Sequence, residues 1–491
     1  MKAFNPYLPL TEHVPDGEPH LFNGRVYIYG SHDTATGTVY CEDHYVTWSA
    51  PEDDLTDWRY EGVIYRRNQD PSNQDDKMQL WAPDVTQGPD GRFYLYYCFN
   101  FFNEIGVAVS DSPAGPFEFY GHVKFSDGNK WTKPMPFDPA VLTDDDGRVF
   151  LYSGFTPSGE KAFLMPEFTE EQLNAMPEEE REMIANLSNI KFEEYSVVAE
   201  LEADMLTVKE GPKPLIPSEN HTKGTSFEGH GFFEASSIRK FDGIYYFVYS
   251  SHKSHELCYA TSKYPDRDFE FGGTLVSNGD IGYKGNTKFV ATAGNNHGGI
   301  VKANGEYYIF YHRPTNGTEF SRQGCAEKLT MRADGGFDQV EITSCGLNGG
   351  PLPASGSYPA AIACYMRCPK SLDCINYNDP AVKETTMVTE KSNQVFVTNI
   401  VDGSVLGYKY FAFLGADMLV VELKGLYDGE ILVACDPEGE EVIGEAELHI
   451  QSDEFGCELI PLSDISGTKP LYFIFHGKGM LDMKGFAFLN M

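Results

Sequence analysis

The stretch Asp138-Pro-Ala-Val-Leu-Thr-Asp-Asp-Asp-Gly147, followed by Arg148-Val-Phe-Leu-Tyr152, carries the pattern that decides the fold. A polar head residue begins it, a short apolar run follows, and an Asp-Gly pair leads into a second apolar run. Asp-Gly and Asn-Gly pairs favour hairpin turns, because the central residues of such turns need a positive φ. β-Branched and aromatic residues prefer strands. The stretch therefore predicts an antiparallel hairpin with a polar residue at its start.

The same layout occurs five times, with the head residues Asp16, Asp84, Asp138, Glu234 and His297. Each head lies 7 to 9 residues before a turn glycine, and these glycines follow one another after 67, 56, 96 and 62 residues. Such intervals are too long for two strands and suit four-stranded blades with loops. We therefore expect an all-β chain with a five-bladed β-propeller over residues 1–345. The Glu-rich segment 166–187 predicts a helix inserted in the longest interval.

The innermost strand of each blade lines the central channel of a propeller, so the five heads are expected to meet around one axis. A single polar residue at a strand start is typical of a turn or a strand cap. Five ionisable residues at the same position of five hairpins indicate a shared site and not five separate caps. Carboxylates grouped in a pocket raise each other's pKa values, and proteins keep such groups mostly at functional sites.

Carboxylates that face each other across a pocket can hydrolyse a glycosidic bond. One donates a proton to the leaving oxygen, while the other activates water or attacks the sugar carbon. A third carboxylate can keep the pKa of the acid high by repulsion. Aromatic residues near the heads offer flat apolar faces for sugar rings, although each could equally pack in the core; they are Trp81, Phe101, Phe102, Phe155 and Phe232.

Four head motifs resemble the signatures of glycoside hydrolase family 43. They are Pro15-Asp16-Gly17-Glu18-Pro19, Trp81-Ala82-Pro83-Asp84, Phe137-Asp138-Pro139-Ala140 and Phe233-Glu234-Ala235. The resemblance spans residues 10–345 and implies a five-bladed propeller that cleaves with inversion, acting mostly on arabinose- and xylose-containing polysaccharides. It implies Asp16 as the general base, Glu234 as the general acid, and Asp138 as the carboxylate that tunes the pKa of the acid and orients it.

The resemblance implies further roles around the pocket. Asp84 is expected to bind substrate or support the pocket floor, and Arg322 to bind a sugar hydroxyl, with a surface salt bridge as the alternative. His297 resembles a histidine beneath the family's pocket that often holds calcium, which implies a structural Ca²⁺ ion there. One departure concerns blade one, where Asp16 is followed by Gly-Glu-Pro in place of the usual Ala-Asp-Pro pattern. Glu18 is thus an alternative base on the same side of the strand, although the spacing of Asp16 to its turn matches the other heads.

After a Gly-, Pro- and Ser-rich stretch at 346–358, which predicts a linker, the pattern changes. Short apolar runs separated by turn residues, such as 418–423 and 430–434, are expected as separate short strands and predict a β-sandwich over residues 359–491. This region resembles family 6 carbohydrate-binding modules. Whether it binds sugar or only supports the propeller stays open.

Charge and composition restrict the partners of the chain. Its 73 acidic and 38 basic residues give a net charge of −35, which disfavours nucleic acids and anionic membranes and suits a neutral sugar. No segment approaches the roughly 20 apolar residues of a membrane span, and the first residues lack the apolar stretch of a secretion signal. The ten cysteines lack metal-site spacing. We therefore expect a cytoplasmic protein with reduced thiols and an undetermined oligomeric state.

These observations together predict an inverting exo-glycosidase. It would release terminal α-L-arabinofuranosyl and/or β-D-xylosyl residues from oligosaccharides derived from arabinoxylan or xylan. The alternatives are an endo-acting arabinanase or xylanase, or a non-catalytic carbohydrate-binding propeller. Phosphorolysis is disfavoured, because it needs one catalytic carboxylate with a basic phosphate cluster, whereas three heads are acidic.

Overall fold

The computed structural model describes residues 4–100, 104–157, 181, 194–373, 375, 377 and 379–489. Within these ranges the chain forms five successive sheets, followed by one sheet of nine strands. The predicted all-β class and the five-bladed propeller are confirmed. The segment 166–187, predicted as a helix, lies outside the described residues except for position 181, and so do Phe101 and Phe102. No helix of the described residues is long and apolar enough to span a membrane.

Each of the first five sheets is one blade, and its strands follow one another in sequence order except for β9, which pairs in parallel with β13. Blade 1 contains β1 (Glu18–Phe22), β2 (Arg25–Tyr29), β3 (Tyr45–Pro51) and β4 (Arg59–Tyr65). Blade 2 contains β5 (Leu80–Gln87), β6 (Phe93–Phe99), β7 (Ile105–Ser110) and β8 (Glu118–His122). Blade 3 contains β9 (Lys124–Phe125), β10 (Ala140–Thr143), β11 (Val149–Ser153), β12 (Tyr195–Leu201) and β13 (Thr207–Pro217). Blade 4 contains β14 (Phe232–Phe241), β15 (Ile244–Ser251), β16 (Glu256–Ser262) and β17 (Glu270–Ser277), and blade 5 contains β18 (Ile300–Ala303), β19 (Glu306–Thr315) and β20 (Thr318–Leu329).

The predicted hairpins form the inner half of each blade. In blade 1, Asn23 and Gly24 join β1 to β2 with φ values of 51° and 74°, the left-handed conformation that this turn requires. The first strands of the blades lie side by side around the axis, since β1 contacts both β5 and β18, and β10 contacts both β5 and β14. A parallel bridge between Gly17 and Gly298 joins the first blade to the last and closes the ring.

The nine strands after the propeller form a single sheet system around an aromatic core that includes Tyr408, Phe411, Phe473 and Phe486. The strands are β21 (Leu352–Pro353), β22 (Gly356–Pro359), β23 (Tyr365–Arg367), β24 (Met387–Lys391), β25 (Gln394–Ile400), β26 (Ser404–Leu414), β27 (Met418–Ala434), β28 (Val442–Pro461) and β29 (Ser466–Leu489). Short 3₁₀ helices connect elements throughout the chain: Arg67–Gln69, Pro71–Asn73, Glu219–His221, Tyr283–Gly285, Gly346–Asn348, Ala360–Ile362 and Pro380–Glu384.

Two expectations for this region need correction. The stretch 346–358, predicted as a linker, contains β21 and most of β22, which pair with β26 and β29. The short strands expected within 418–434 are one strand, β27. Its pairing with β28 shifts register between Leu423 and Gly425, and Gly425 has a φ of 134°. Gly425 therefore bends the strand without ending it.

The C-terminal region packs directly on blade 5. The Arg313 guanidinium of β19 donates hydrogen bonds to the carbonyl oxygens of Ala361 and Ala363 at 2.6 and 2.9 Å. Nearby, the Lys409 ammonium of β26 lies 2.8 Å from Glu341 and 3.6 Å from Asp280. These buried charged contacts fix the region against the propeller.

Candidate active site

A cavity of about 250 Å³ opens where the first strands of the blades begin. Four carboxylates line it among the described residues, and three of them are predicted heads from three blades: Asp16 before β1, Asp138 before β10, and Glu234 near the start of β14. The fourth is Glu319, near the start of β20. His297, from the segment before β18, lies beside them. Four of the five predicted heads are therefore brought together in one cavity.

The backbone turns these carboxylates toward the cavity through unusual conformations. Asp16 and Asp138 have φ values of 56° and 45°, and Ala235, next to Glu234, has a φ of 68°. Residues with side chains rarely adopt this left-handed region, and such strain concentrates at functional sites. At Ala235 it accompanies a break in the pairing of β14 with β15 between Glu234 and Ser237.

Asp16 is held by a buried arginine. Arg322 Nη1 donates a hydrogen bond to Asp16 Oδ1 at 3.0 Å, and the backbone amide of Asp16 donates to His312 Nδ1 at 3.2 Å. Burial alone would raise the pKa of Asp16, but the Arg322 guanidinium, together with His312, His297 and a hydrogen bond from Ser31, outweighs that effect and holds this pKa below its usual value. Asp16 is therefore ionised at neutral pH and can accept a proton.

The other two carboxyls are shifted in the opposite direction. Burial, together with the nearby charge of Asp138, raises the pKa of Glu234 well above its usual value. Burial also raises the pKa of Asp138 to about 7, although the neighbouring His297 opposes the rise. The cavity thus combines one ionised carboxylate with one protonated carboxylic acid, the division of roles that acid–base catalysis requires.

Five aromatic side chains form a continuous wall around the carboxylates. The ring centroids of Trp81 and Phe137 lie 5.5 Å apart, those of Phe137 and Phe155 4.7 Å, and those of Phe155 and Phe233 5.3 Å. Tyr40 extends the wall beyond Trp81 at 6.0 Å. Trp81 and Phe155, which were predicted from the sequence as sugar-binding aromatics, thus lie in the wall of the cavity.

Two predicted substrate-binding residues lie elsewhere. Phe232 is fully buried in the core between blades 3 and 4, where it packs on Phe247 and Tyr249, and its neighbour Phe233 lines the cavity instead. Asp84 lies inside β5 below the cavity, where its Oδ2 accepts a hydrogen bond from the Val141 amide. Asp84 was expected either to bind substrate or to support the pocket floor. Its position below the cavity is compatible with the second role and not with the first.

Several lining residues were not predicted from the sequence, although Phe137 and Phe233 stood inside the quoted motifs. Five others come from loops without a repeating pattern, namely Tyr40, Cys41, Ser254, Asn295 and Ile375, and a further one, Glu319, lies near the start of β20. Among the residues that the structure describes, Ile375 is the lining residue that comes from the C-terminal region.

Glu18, the alternative base, does not line the cavity. Its side chain is 1% exposed and lies deeper in the propeller. Oxygen Oε2 accepts hydrogen bonds from Arg239 Nη2 at 2.7 Å and from the Ser237 hydroxyl at 2.8 Å. A carboxylate held in this way is not available to a water molecule in the cavity.

The surroundings of His297 do not fit a calcium ion. Calcium takes about six to eight oxygen ligands at about 2.3–2.6 Å. Beside His297 Nε2, at 3.6 Å, lies Glu18 Oε1, a buried side-chain oxygen without a hydrogen-bond partner among the described residues. The other Glu18 oxygen is already bound by the Arg239 guanidinium, a cation that repels a second one. A side chain at Gly299 would put its Cβ 2.6 Å from this oxygen, so the place is also crowded.

Two clusters of possible metal ligands occur among the described residues: Glu18, His20 and Asp84 below the cavity, and His230, Glu256 and Cys258, which also lie outside it. Glu256 is already in contact with His230 at 2.7 Å and with the Lys253 ammonium at 3.4 Å. The Lys253 ammonium therefore already occupies the position beside Glu256 in which a metal ion would have to bind.

Comparison with known proteins places these residues in a family. The sequence model of glycosyl hydrolases family 43 matches residues 22–195. A xylosidase/arabinosidase of Thermoclostridium stercorarium is 44% identical over 504 residues, which cover 99% of this chain and 98% of the relative. A xylosidase/arabinosidase of Bacteroides ovatus is 29% identical over 70% of this chain and 99% of its own length.

Solved structures agree with this relationship. A family 43 β-xylosidase/α-arabinofuranosidase from a compost microbial metagenome, crystallised with xylotriose in a calcium-free form, is 27% identical with a TM-score of 0.51. It matches 69% of this chain and 97% of its own. Since a relative at 44% identity spans nearly the whole chain, the resemblance of the head motifs to glycoside hydrolase family 43 is confirmed. The chain belongs to family 43 of the glycosyl hydrolases and is a glycosidase.

Proposed function

We propose that this glycosidase is exo-acting and inverting, and that it releases terminal α-L-arabinofuranosyl and/or β-D-xylosyl residues from oligosaccharides derived from xylan or arabinoxylan. The observation that carries the proposal is the opposite protonation of two carboxyls in one cavity. Asp16 is kept ionised by Arg322, and Glu234 is kept protonated by burial and by Asp138.

The reaction follows from this arrangement in one displacement. Glu234 gives its proton to the glycosidic oxygen while Asp16 takes a proton from a water molecule. The water oxygen bonds to the anomeric carbon from the face opposite to the breaking bond, so that the product has inverted configuration. Asp16 ends protonated and Glu234 ionised, and proton exchange with solvent restores both. Asp138 keeps the proton on Glu234 between turnovers.

The size of the cavity supports exo action. Its volume of about 250 Å³ lies below the range of about 300–1,000 Å³ that is typical of pockets for drug-sized ligands. A terminal sugar fits such a space better than the middle of a polysaccharide chain. The sugar class is supported by the relatives, which are named xylosidase/arabinosidase, and by the neighbouring structure that holds xylotriose.

The test uses the 4-nitrophenyl α-L-arabinofuranoside and β-D-xyloside side by side, with Asp16→Asn, Glu234→Gln and the exposed control Asp145→Asn. Wild type and control should release nitrophenol, and Asp16→Asn should be at least about 100-fold slower. Glu234→Gln should lose less on the nitrophenyl substrates than on xylobiose or an arabino-oligosaccharide, because nitrophenolate leaves without a proton.

The stereochemistry is checked by proton NMR during hydrolysis. The first product of the β-xyloside should be α-xylose, which later mutarotates. Appearance of β-xylose first would contradict inversion. Inactivity of the wild type on both glycosides and on their oligosaccharides would contradict the exo proposal as a whole.

A further inference from the structure

Below the cavity, four side chains alternate in charge between the active site and a second cavity at the opposite ends of the same strands. Asp138 Oδ2 lies 3.7 Å from His297 Nδ1, and His297 Nε2 lies 3.6 Å from Glu18 Oε1. The other oxygen of Glu18 accepts a hydrogen bond from Arg239 Nη2 at 2.7 Å. The order is carboxyl, imidazole, carboxylate and guanidinium. The reacting groups therefore rest on a column of charges that ends at Arg239.

Arg239 is buried and held in this position by several hydrogen bonds. Its side chain is about nine-tenths buried, with Nη2 also donating to the Pro19 carbonyl at 2.8 Å and Nη1 to the Ile238 carbonyl at 2.7 Å. It extends to Glu18 from β14, the strand whose first residues include the proposed general acid, Glu234. No substrate can touch it from the active-site side, because Glu18 and His297 lie between.

The groups around Arg239 form a set that suits a cation. Glu18, His20 and Asp84 each offer one ligand atom, and these atoms lie within 4.8 Å of one another. Arg239 Nη2 lies 3.2 Å from His20 Nε2, which in turn lies 2.5 Å from Asp84 Oδ1. Two buried carboxylates and an imidazole thus surround a guanidinium. Arg239 is thus the cation that lies directly against Glu18 and His20 in this set.

We infer that Arg239 is a positioning residue for hydrolysis: it holds Glu18, and through it His297, beneath the three carboxylates, and it supplies from inside the protein the positive charge that a divalent cation would otherwise bring. The inference rests on the proposed function. It has two consequences: the wild type needs no divalent cation, and removal of the arginine leaves a place that a cation can enter.

The experiment compares wild type, Arg239→Ala and Arg239→Lys after exhaustive dialysis against a chelator. Activity on the nitrophenyl glycosides is measured alone, with calcium chloride, and with guanidinium chloride at concentrations that leave the circular dichroism unchanged. Wild-type activity should not change with chelator or calcium. Arg239→Ala should lose about 10- to 100-fold in kcat, the usual scale for removing a residue that orients a catalytic group, with a smaller change in KM.

Calcium or guanidinium should restore part of the kcat of Arg239→Ala, and the point charge of Arg239→Lys should preserve more of it than alanine does. Lys240→Ala is the matched control, because Lys240 lines the same lower cavity but pairs with Asp144 and Asp145. It should respond to neither cation. Calorimetry gives a readout independent of turnover: Arg239→Ala should bind calcium, and wild type should not.

Loss of wild-type activity on chelation, regained with calcium, would overturn the inference, as would full kcat in a folded Arg239→Ala. Calcium binding by the wild type in the calorimeter would do the same. If Arg239→Ala does not fold, the chelator test on wild type and the activity of Arg239→Lys still decide. Inactivity of the wild type on every glycoside would instead count against the proposed function, and the calorimetric comparison would remain valid.

Discussion

Arg322, on β20 of blade 5, ties Asp16 to Asp33 through buried contacts beside the cavity. Its Nη1 donates to Asp16 Oδ1 at 3.0 Å, while Nε and Nη2 hold the two oxygens of Asp33 at 2.8 and 3.1 Å. Because Asp33 binds the guanidinium at two points, the group has a fixed orientation toward Asp16. The family resemblance implied that this arginine binds a sugar hydroxyl. Most of its N–H groups are instead used inside the protein, and its main effect falls on the charge of the base.

Replacing Arg322 by methionine should therefore change the pH profile as well as the rate. Burial raises the pKa of Asp16, and Arg322 is the strongest of the groups that lower it, ahead of His312 and His297. Without the arginine the pKa of Asp16 should therefore rise. The base is active when ionised, so the acid limb of kcat/KM should move to higher pH. Activity at neutral pH should fall by about 100-fold. An unchanged acid limb in a folded variant would show that Arg322 does not control Asp16.

Asp138→Asn should move the opposite limb. Burial raises the pKa of Glu234, and the charge of Asp138 raises it further. With a neutral asparagine the pKa of Glu234 falls, so the acid loses its proton at lower pH and the alkaline limb of kcat/KM should move down. We expect a loss of about 100-fold at neutral pH. The pH–rate profile measures this directly, and a shift upward would contradict the role given to Asp138.

Substitutions of the adjacent residues Phe232 and Phe233 should affect stability and substrate binding separately. Phe232 is fully buried, so Phe232→Ala should destabilise the fold by about 3–5 kcal/mol. Phe233 lines the cavity, so Phe233→Ala should raise KM while the melting temperature stays close to that of wild type. Thermal unfolding and steady-state kinetics on both variants check this. A raised KM in a folded Phe232→Ala with none in Phe233→Ala would reverse the assignment.

The predicted heads show how much of the site can be predicted from the number of residues between each head and its turn glycine. Asp16, Asp138 and Glu234 lie 8 or 9 residues before their turn glycines and reach the cavity. Asp84 lies 7 residues before its glycine and Glu18 only 6, and both are buried below the cavity floor. Since each residue advances a strand by about 3.3 Å, one or two positions decide whether a carboxyl faces solvent or the core.

Other features could not be derived from the repeat. The choice between Phe232 and Phe233 depends on the local break at Ala235, because a single irregular residue exchanges the two faces of a strand. Tyr40 reaches the cavity on a loop, whose path follows no period, and Glu319 reaches it from the start of β20, outside the hairpins of the heads. The closeness of Arg239 to Glu18, from β14 and β1, depends on how two blades meet and has no signature in either strand.

The C-terminal region should take part in substrate binding through Ile375. This side chain lines the cavity, and two residues further along Tyr377 donates from its hydroxyl to the Ala293 carbonyl at 2.9 Å, which holds the segment to the propeller. Ile375→Ala removes apolar surface from the mouth of the cavity. At about 0.8 kcal/mol for each buried methylene group, the loss of one or two such contacts should raise KM by about 4- to 15-fold, with little change in kcat. Leu414→Ala is the control, because Leu414 is 91% exposed in the same region and away from the cavity. Equal KM values for Ile375→Ala, Leu414→Ala and wild type would show that the C-terminal region supports the propeller without contacting the sugar.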